Sequence, residues 1–354
     1  MPRRVVVWGP GNVGAPALRT VVAHPDLELA GVIVHAPEKE GRDAGELVGL
    51  PPLGIRATRD AAAALAGADA LFYGVNQDFR PREAADEMTA ALESGVSVVT
   101  AGTYGLLHPA SADPALRERF EQACRNGGSA FLASGIDPGF ALDLLPLALS
   151  GVAEEIREVR IIENFNYATY EVPEAVRKIL GFGSSLDRPP PMLLPGVPTL
   201  VWGGAVRALA EALEVPLEDV REVRELHPLE RDAELPTGTL SAGTLGAYRF
   251  EVQGISGGRP VVVLEHVTRI VSDTAPQWPR PAGMGHHQVR IEGRPRMTLT
   301  LESEDERGDH VAGGNATAAA RLVHAIPYLC DAEPRIHTGI ELPLLVGRGL
   351  VRPS

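Results

Sequence analysis

The first third of the chain alternates short apolar runs with segments whose apolar residues recur at helical spacing. Val5–Trp8 is unbroken apolar chain, and beyond Gly9–Gly14 the residues Val13, Ala17, Leu18, Val21 and Val22 share one helical face. Leu27–Val34 predicts a second strand and Ile55–Thr58 a weak third. An alanine-rich helix from Asp60 to Ala66 leads to a buried strand at Ala70–Val75, and Pro81–Glu93 predicts a helix with proline in its first turn. Val96–Ala101 is the next strand. Ser111 or Asp113 then caps a helix in which Leu116, Phe120 and Cys124 fall on one face, ended by Gly127-Gly128. Phe131–Ser134 closes the series. Strands joined by short helical crossovers require a parallel sheet covered on both faces. The expected fold is α/β, a Rossmann-type doubly wound sheet over residues 1–140.

The pattern changes after residue 140. Ile156–Phe165, Leu245–Val252, Val261–Val271, Gln288–Ile291 and Met297–Leu301 read as longer, partly alternating strands. Helices are expected near Glu174–Leu180 and Thr199–Leu213, and long ordered loops at Arg188–Pro198 and Ala275–Pro281. This predicts a mixed α+β second domain over residues 141–314. In the last segment, 315–354, Ala319, Leu322, Val323 and Ile326 form one face of a helix that Pro327 is expected to stop.

Composition narrows the function. With 46 acidic against 33 basic side chains the formal charge is −13, which argues against nucleic-acid and anionic-membrane partners. Two cysteines, Cys124 and Cys330, are too few for a disulfide framework. The apolar run in MPRRVVVWGPG is too short for a signal peptide or a membrane span, so a cytoplasmic protein with a small-molecule substrate is expected.

Gly9-Pro10-Gly11-Asn12-Val13-Gly14 fits the spacing GxGxxG between a strand and a helix. Gly9 permits the tight turn, Gly11 lets the backbone approach a pyrophosphate, and Gly14 lets helix pack on strand. Asn12 and Val13 complete the loop, whose phosphates would face a helix N-terminus. Gly74 and Asn76 close the neighbouring strand. An NAD-binding sheet carries an acid about 20 residues beyond the glycines, to grip the ribose. Here that strand ends at Val34-His35-Ala36, followed by Lys39 and Arg42. NADP(H) is therefore expected in preference, with NAD(H) possible. No metal site is expected, because no HExxH or Cys/His ligand spacing occurs and His286-His287 are adjacent.

GPGNVG followed by Gly41-Arg42-Asp43-Ala44-Gly45-Glu46-Leu47 resembles the N-terminal domain of dihydrodipicolinate reductases. The fuller resemblance is to their relatives, the 2,4-diaminopentanoate dehydrogenases and the NAD(P)H-dependent amine dehydrogenases. Gly135-Ile136-Asp137-Pro138-Gly139-Phe140 is similar to the segment that leaves the Rossmann domain in those proteins, and the run from Asn315 through His324-Ala325-Ile326-Pro327 to Leu342-Pro343 is similar to their closing helix and tail. The resemblance implies a second domain that binds substrate and dimerises, and a C-terminal segment packed back on the Rossmann domain. Gly102-Thr103-Tyr104-Gly105 resembles the nicotinamide-contacting loop of the reductases.

Two departures leave the acid–base group open. The reductases carry a His-His pair and a lysine just after the first strand of the second domain, whereas this chain has Glu163-Asn164-Phe165-Asn166-Tyr167. His286-His287 lies far downstream and is not equated with that pair. The amine dehydrogenases place a glutamate in the loop after the fifth strand, where this chain has Gly102–His108 without a carboxylate. Tyr104, Asp137 and His266 are the catalytic candidates, with His108 also placed by position. Asn164, Asn166, Tyr167 and Tyr170 form a polar and aromatic cluster suited to substrate. The expected activity is an NAD(P)H-dependent oxidoreductase acting on a small imine or amine. The alternatives are a carbonyl or hydroxy-compound dehydrogenase on the same scaffold and a non-catalytic NADPH sensor.

Overall fold

The computed structural model describes residues 1–168, 173, 175–281 and 283–351. The chain divides into two compact units, Met1–Phe140 with Ala312–Ser354, and Ala141–Val311. The first opens with β1 (Arg3–Trp8), α1 (Gly14–Ala23), β2 (Leu27–Ile33), α2 (Ala61–Leu65), β3 (Ala70–Tyr73), α3 (Pro81–Glu93), β4 (Ser97–Thr100), α4 (Pro114–Gly127) and β5 (Phe131–Ala133). β3, β4 and β5 are buried throughout, as parallel strands covered on both faces must be. Asp60 caps α2, accepting from the Ala63 N–H at 3.0 Å, and Asp113 caps α4 through the Leu116 N–H at 2.9 Å. Gly128, at φ 65°, ends α4 in the left-handed conformation that glycine adopts most cheaply.

The second unit holds α5 (Leu144–Ser150), β6 (Glu155–Asn166), α6 (Val197–Ala212), β7 (Asp219–Pro228), β8 (Leu245–Ser256), β9 (Arg259–Arg269), β10 (Gly285–Arg294) and β11 (Met297–Leu301). Its sheet has the order β11-β10-β6-β9-β8-β7, with β6 and β9 parallel and the other pairs antiparallel. Alternation along the strands separates two faces. One carries Val159, Ile161, Val252, Leu264, Val289 and Ile291 into a core shared with Trp202, Val206 and Leu209 of α6. The other carries Arg160, Arg249, Glu251 and Glu265. Arg160 meets Glu251 at 2.8 Å and Glu265 at 2.6 Å, and Arg249 meets Glu265 at 2.6 Å.

The chain then returns to the first unit through α7 (His310–Leu329) and β12 (Ile336–His337). The first sheet runs β12-β5-β4-β3-β1-β2, all parallel. Its sixth strand is thus β12, not Ile55–Thr58. That segment bridges β2 only at Thr58 and spends its other backbone hydrogen bonds on residues 41, 42 and 44. Pro327 does not stop α7, which runs on to Leu329 with Pro327 inside it. A proline in the last turn removes one hydrogen bond, and the burial of Ala325, Ile326 and Leu329, each at most 1% exposed, outweighs that loss. Val22 is 40% exposed, since one step of about 100° past Val21 turns it off the buried stripe of α1. In place of a regular helix near Glu174–Leu180 there is a single wide turn at Ala175–Ile179, and Glu174 itself lies outside the described residues. The pattern also misses β7, a charged edge strand with little apolar signal. Among the described residues, no helix is long and apolar enough to cross a membrane.

Candidate active site

The glycine loop follows directly from the end of β1. Gly9 takes φ 84° and donates its N–H to Ile33 O of β2 at 2.9 Å. A Cβ on Gly14 would stand 2.0 Å from Gly9 O, so only glycine lets α1 start here, whereas a Cβ on Gly11 would meet nothing within 4 Å. The N-terminus of α1 has no side-chain cap and no acid in its first turn. Gly74, past the end of β3, runs beneath the loop: its Cβ would lie 3.1 Å from Gly9 O. Open space over Gly11 and an uncapped helix N-terminus fit a dinucleotide pyrophosphate.

Beyond the tip of β2, His35 is exposed and stacks on Trp8, the ring centroids 5.8 Å apart. Lys39 is half-buried and Arg42 exposed on the turn that follows. The Asp43 carboxylate accepts the N–H groups of Gly45, Leu53 and Gly54, each at 2.8 Å, and these bonds, led by that from Leu53, hold it below the ordinary carboxylate range. Asp43 therefore shapes this turn. At the tip of β3, Asn76 Oδ1 accepts the Asp78 N–H at 2.9 Å.

The loop after β4 is tied to the same edge. Thr100 Oγ1 donates to Tyr73 O at 3.0 Å and accepts from Gln77 Nε2 at 2.6 Å and from the Gly102 N–H at 3.2 Å. The Thr103 hydroxyl donates to Gln77 Oε1 at 2.6 Å. These bonds hold Thr103 at φ 58°, a left-handed conformation that a β-branched residue adopts only under constraint. Tyr104 follows, and burial, with the charges of Asp78 and Asp137, pushes its hydroxyl up to about 12. It is a neutral donor at physiological pH. Asp137 follows β5, the neighbour of β4. His108 is elsewhere engaged, its Nδ1 2.8 Å from Ser111 Oγ.

In the second unit, β10, β6 and β9 place His287, Glu163 and His266 in one row across three adjacent strands. His266 Nδ1 lies 3.3 Å from Glu163 Oε1, and His287 Nε2 3.6 Å from Oε2. Burial opposes ionisation of Glu163, but the two imidazoles outweigh it and hold the carboxyl below its usual range. His266 is wedged between Phe250, stacked at 4.6 Å, and the edge of Trp202 at 4.5 Å. His286-His287 lies far downstream of Glu163 in the chain. The antiparallel pairing of β10 with β6 nevertheless sets His287, which lies in a strand and not a loop, opposite Glu163. The available signal was an acid between Ile161 and Phe165 on a core-facing strand.

The polar cluster divides. Asn164 Oδ1 accepts from Arg269 NH1 at 3.0 Å, and its Nδ2 donates to Pro279 O at 3.0 Å, so its amide holds the loop at 275–281. Asn166 Oδ1 accepts the Ala168 N–H at 2.8 Å. The Tyr167 ring lies 6.4 Å from Phe165 and 6.5 Å from His310. Tyr170 lies outside the described residues.

Known proteins match this architecture. The dihydrodipicolinate reductase N-terminus family covers residues 3–122, and the 2,4-diaminopentanoate dehydrogenase C-terminal domain family covers residues 140–348. An amine dehydrogenase from Streptomyces virginiae is 48% identical over 344 residues, 96% of each chain. The chain belongs to the amine dehydrogenase family. As a member it is an NAD(P)-dependent oxidoreductase with a nicotinamide cofactor. A 2,4-diaminopentanoate dehydrogenase from Acetoanaerobium sticklandii is 24% identical, over 74% of this chain and 71% of that protein. The solved amine dehydrogenase from Mycobacterium smegmatis shares the fold, with a TM-score of 0.75 at 21% identity, over 99% of this chain and 98% of that one.

Proposed function

We propose that this protein interconverts a small amine and the corresponding C=N compound, with NADP(H) preferred to NAD(H). The observation that carries the reading is the Gly9–Gly14 cradle, open over Gly11, in a chain 48% identical to an amine dehydrogenase. When bound, the cofactor supplies or takes up hydride. The backbone of Gly9, Gly11, Asn12, Val13 and Gly14 holds the pyrophosphate, with Gly74 and Asn76 closing the loop's underside. Gly102 and Thr103 line the nicotinamide end. His35, Lys39 and Arg42 face the ribose, where the lack of an acid at the tip of β2, the nearest being Glu38, and the presence of two cations favour a 2′-phosphate.

Tyr104 is the proton donor. Burial and the adjacent carboxylates, Asp137 among them, keep it protonated across the working range, so it gives its proton to a nitrogen that becomes basic on reduction. Within the second unit, Glu163 offers an ionised carboxylate, the charge that holds a cationic amine, and His266 and His287 keep it in that state. The second unit also supplies a dimer contact through the charged face of its sheet, as the family resemblance implies, and the protein works in the cytoplasm.

Purified protein is to be assayed for NADPH loss with ketones plus ammonium, with cyclic imines and with carbonyls alone. Tyr104→Phe is expected to lower turnover by about 10²–10⁴-fold while leaving the NADPH Kd unchanged. Full activity in that variant removes Tyr104 from the role. No substrate-dependent loss of either reduced cofactor, over the whole panel, overturns the reading.

A further inference from the structure

We propose that His310 is the base that activates water in this reaction, taking a proton as the water oxygen adds to the carbon of the C=N compound. This rests on the reading of the protein as an enzyme of C=N chemistry. It gives a role to an imidazole that Tyr104 and Glu163 leave unused.

His310 opens α7 within the second unit and is 4% exposed, yet neither ring nitrogen has a hydrogen-bond partner. Buried polar atoms are nearly always bonded to protein or to ordered water, so an imidazole bare at both nitrogens marks a seat for water or ligand. The ring is firmly held. The Asp305 carboxylate accepts the N–H groups of Arg307 at 2.8 Å and Asp309 at 2.9 Å, and Asp309 Oδ1 accepts that of Val311 at 2.8 Å, which fixes the chain entering α7. Phe165 packs on the imidazole at 5.1 Å, and Tyr167 meets it edge-on at 6.5 Å. A Cβ on Gly285 would stand 2.8 Å from His310 Cδ2, so glycine there leaves the imidazole its room. The same Phe165 ring lies 5.2 Å from His287, which puts His310 one phenyl ring away from the Glu163–His287 pair.

The electrostatics suit a base. Burial lowers the pKa of His310, while the Asp309 charge, the Asn166 carbonyl and the Glu163 charge pull it back up. The imidazole is therefore neutral at physiological pH, with a lone pair to accept a proton. The Glu163 carboxylate then steadies the imidazolium that forms.

In the step itself a water O–H bond breaks and its proton passes to a His310 ring nitrogen. The water oxygen bonds to the iminium carbon, and the C=N π pair returns to nitrogen, giving a neutral carbinolamine. In the direction of amination the imidazolium gives its proton to the departing hydroxyl, which leaves as water. Atoms and charge balance both ways.

Stopped-flow oxidation of the primary amine whose ketone is best aminated separates this step from the one before it, because water adds only after hydride has left. His310→Gln should form the first NADPH per site at the wild-type rate and then slow by about 10²-fold or more in later turnovers. Thermal melts and the NADPH Kd, both expected near wild type, check the fold. The wild type itself should show the same pattern in acid, later turnovers slowing below the ordinary histidine range while the first does not. First and later turnovers that fall together in His310→Gln, full steady-state activity in that variant, or a wild type in which acid slows both alike overturns this proposal. A wild type that reduces cyclic imines but aminates no ketone overturns this proposal alone. A wild type that turns over nothing in the panel overturns the C=N reading, and this proposal with it.

Discussion

His24 and His324 make the first unit sensitive to acid. His24 follows the end of α1, 5% exposed, and its Nδ1 accepts the Asp26 N–H at 3.1 Å. The His324 ring, on α7, lies 5.3 Å away. Burial lowers both pKa values; Arg348 lowers His24 further, against an opposing pull from Asp26, and His24 lowers His324. For a histidine lowered in the folded state, the unfolded chain binds the proton first. Stability is therefore intact above the unfolded value near 6.5 and falls as pH drops below it. From pH 7.5 to 5.5 each ring that stays neutral in the fold costs about 1.4 kcal/mol, so the pair costs at most about 2.7 kcal/mol. At about 2–4 °C per kcal/mol, that is a fall in Tm of up to about 5–11 °C. Urea unfolding at the two pH values, on the wild type and on a His24→Gln, His324→Phe double variant, measures it. The double variant should lose less stability on acidification, although His286 and His310, also lowered by burial, still contribute in the second unit. An equal loss in both proteins refutes the reasoning.

Three further outcomes are expected. Gly14→Ala forces a methyl against Gly9 O, where a Cβ would stand at 2.0 Å, and should weaken NADPH binding by about tenfold or more, checked by calorimetric titration. Glu265→Ala leaves Arg160 and Arg249 short of a buried acceptor, and should cost about 3–5 kcal/mol in denaturant unfolding; a loss under about 1 kcal/mol would show the network to be well solvated. Light scattering should give a mass near twice 37.6 kDa, and a monomer mass at working concentrations refutes the dimer.

The parallel sheet was legible because each strand and helix announces itself locally. The apolar run of β1, the proline opening α3 and the acid capping α4 all act within a few residues. What escaped depends on partners distant in sequence. Ile55–Thr58 has the residues of a strand but bridges β2 only at Thr58, its Arg56 pairing with Asp43 instead, whereas Ile336-His337 has too few residues to signal a strand and becomes one because β5 offers an edge. The glycine loop could be read from spacing alone. The grouping of His266, itself a candidate in the sequence, with Glu163 and His287 could not, because a register across β10, β6 and β9 is set by pairing over more than 100 residues, which periodicity does not encode.

The first unit is made of two stretches of chain separated by the whole of the second. Ala319, Leu322, Val323, Ile326 and Leu329 of α7 share a core with Val5, Val7, Leu18 and Val21, and β12 closes the sheet beside β5. During synthesis, the amino-terminal stretch leaves the ribosome with this core unfilled and one sheet edge bare. At about 5–20 residues per second, the roughly 200 residues between β5 and β12 take about 10–40 s to arrive. For that interval β5 is an open edge, a template for another nascent strand. Chains stalled or cleaved before residue 312 would be left permanently in that sticky state, which makes the carboxyl end a checkpoint on whether the nucleotide-binding half becomes soluble at all.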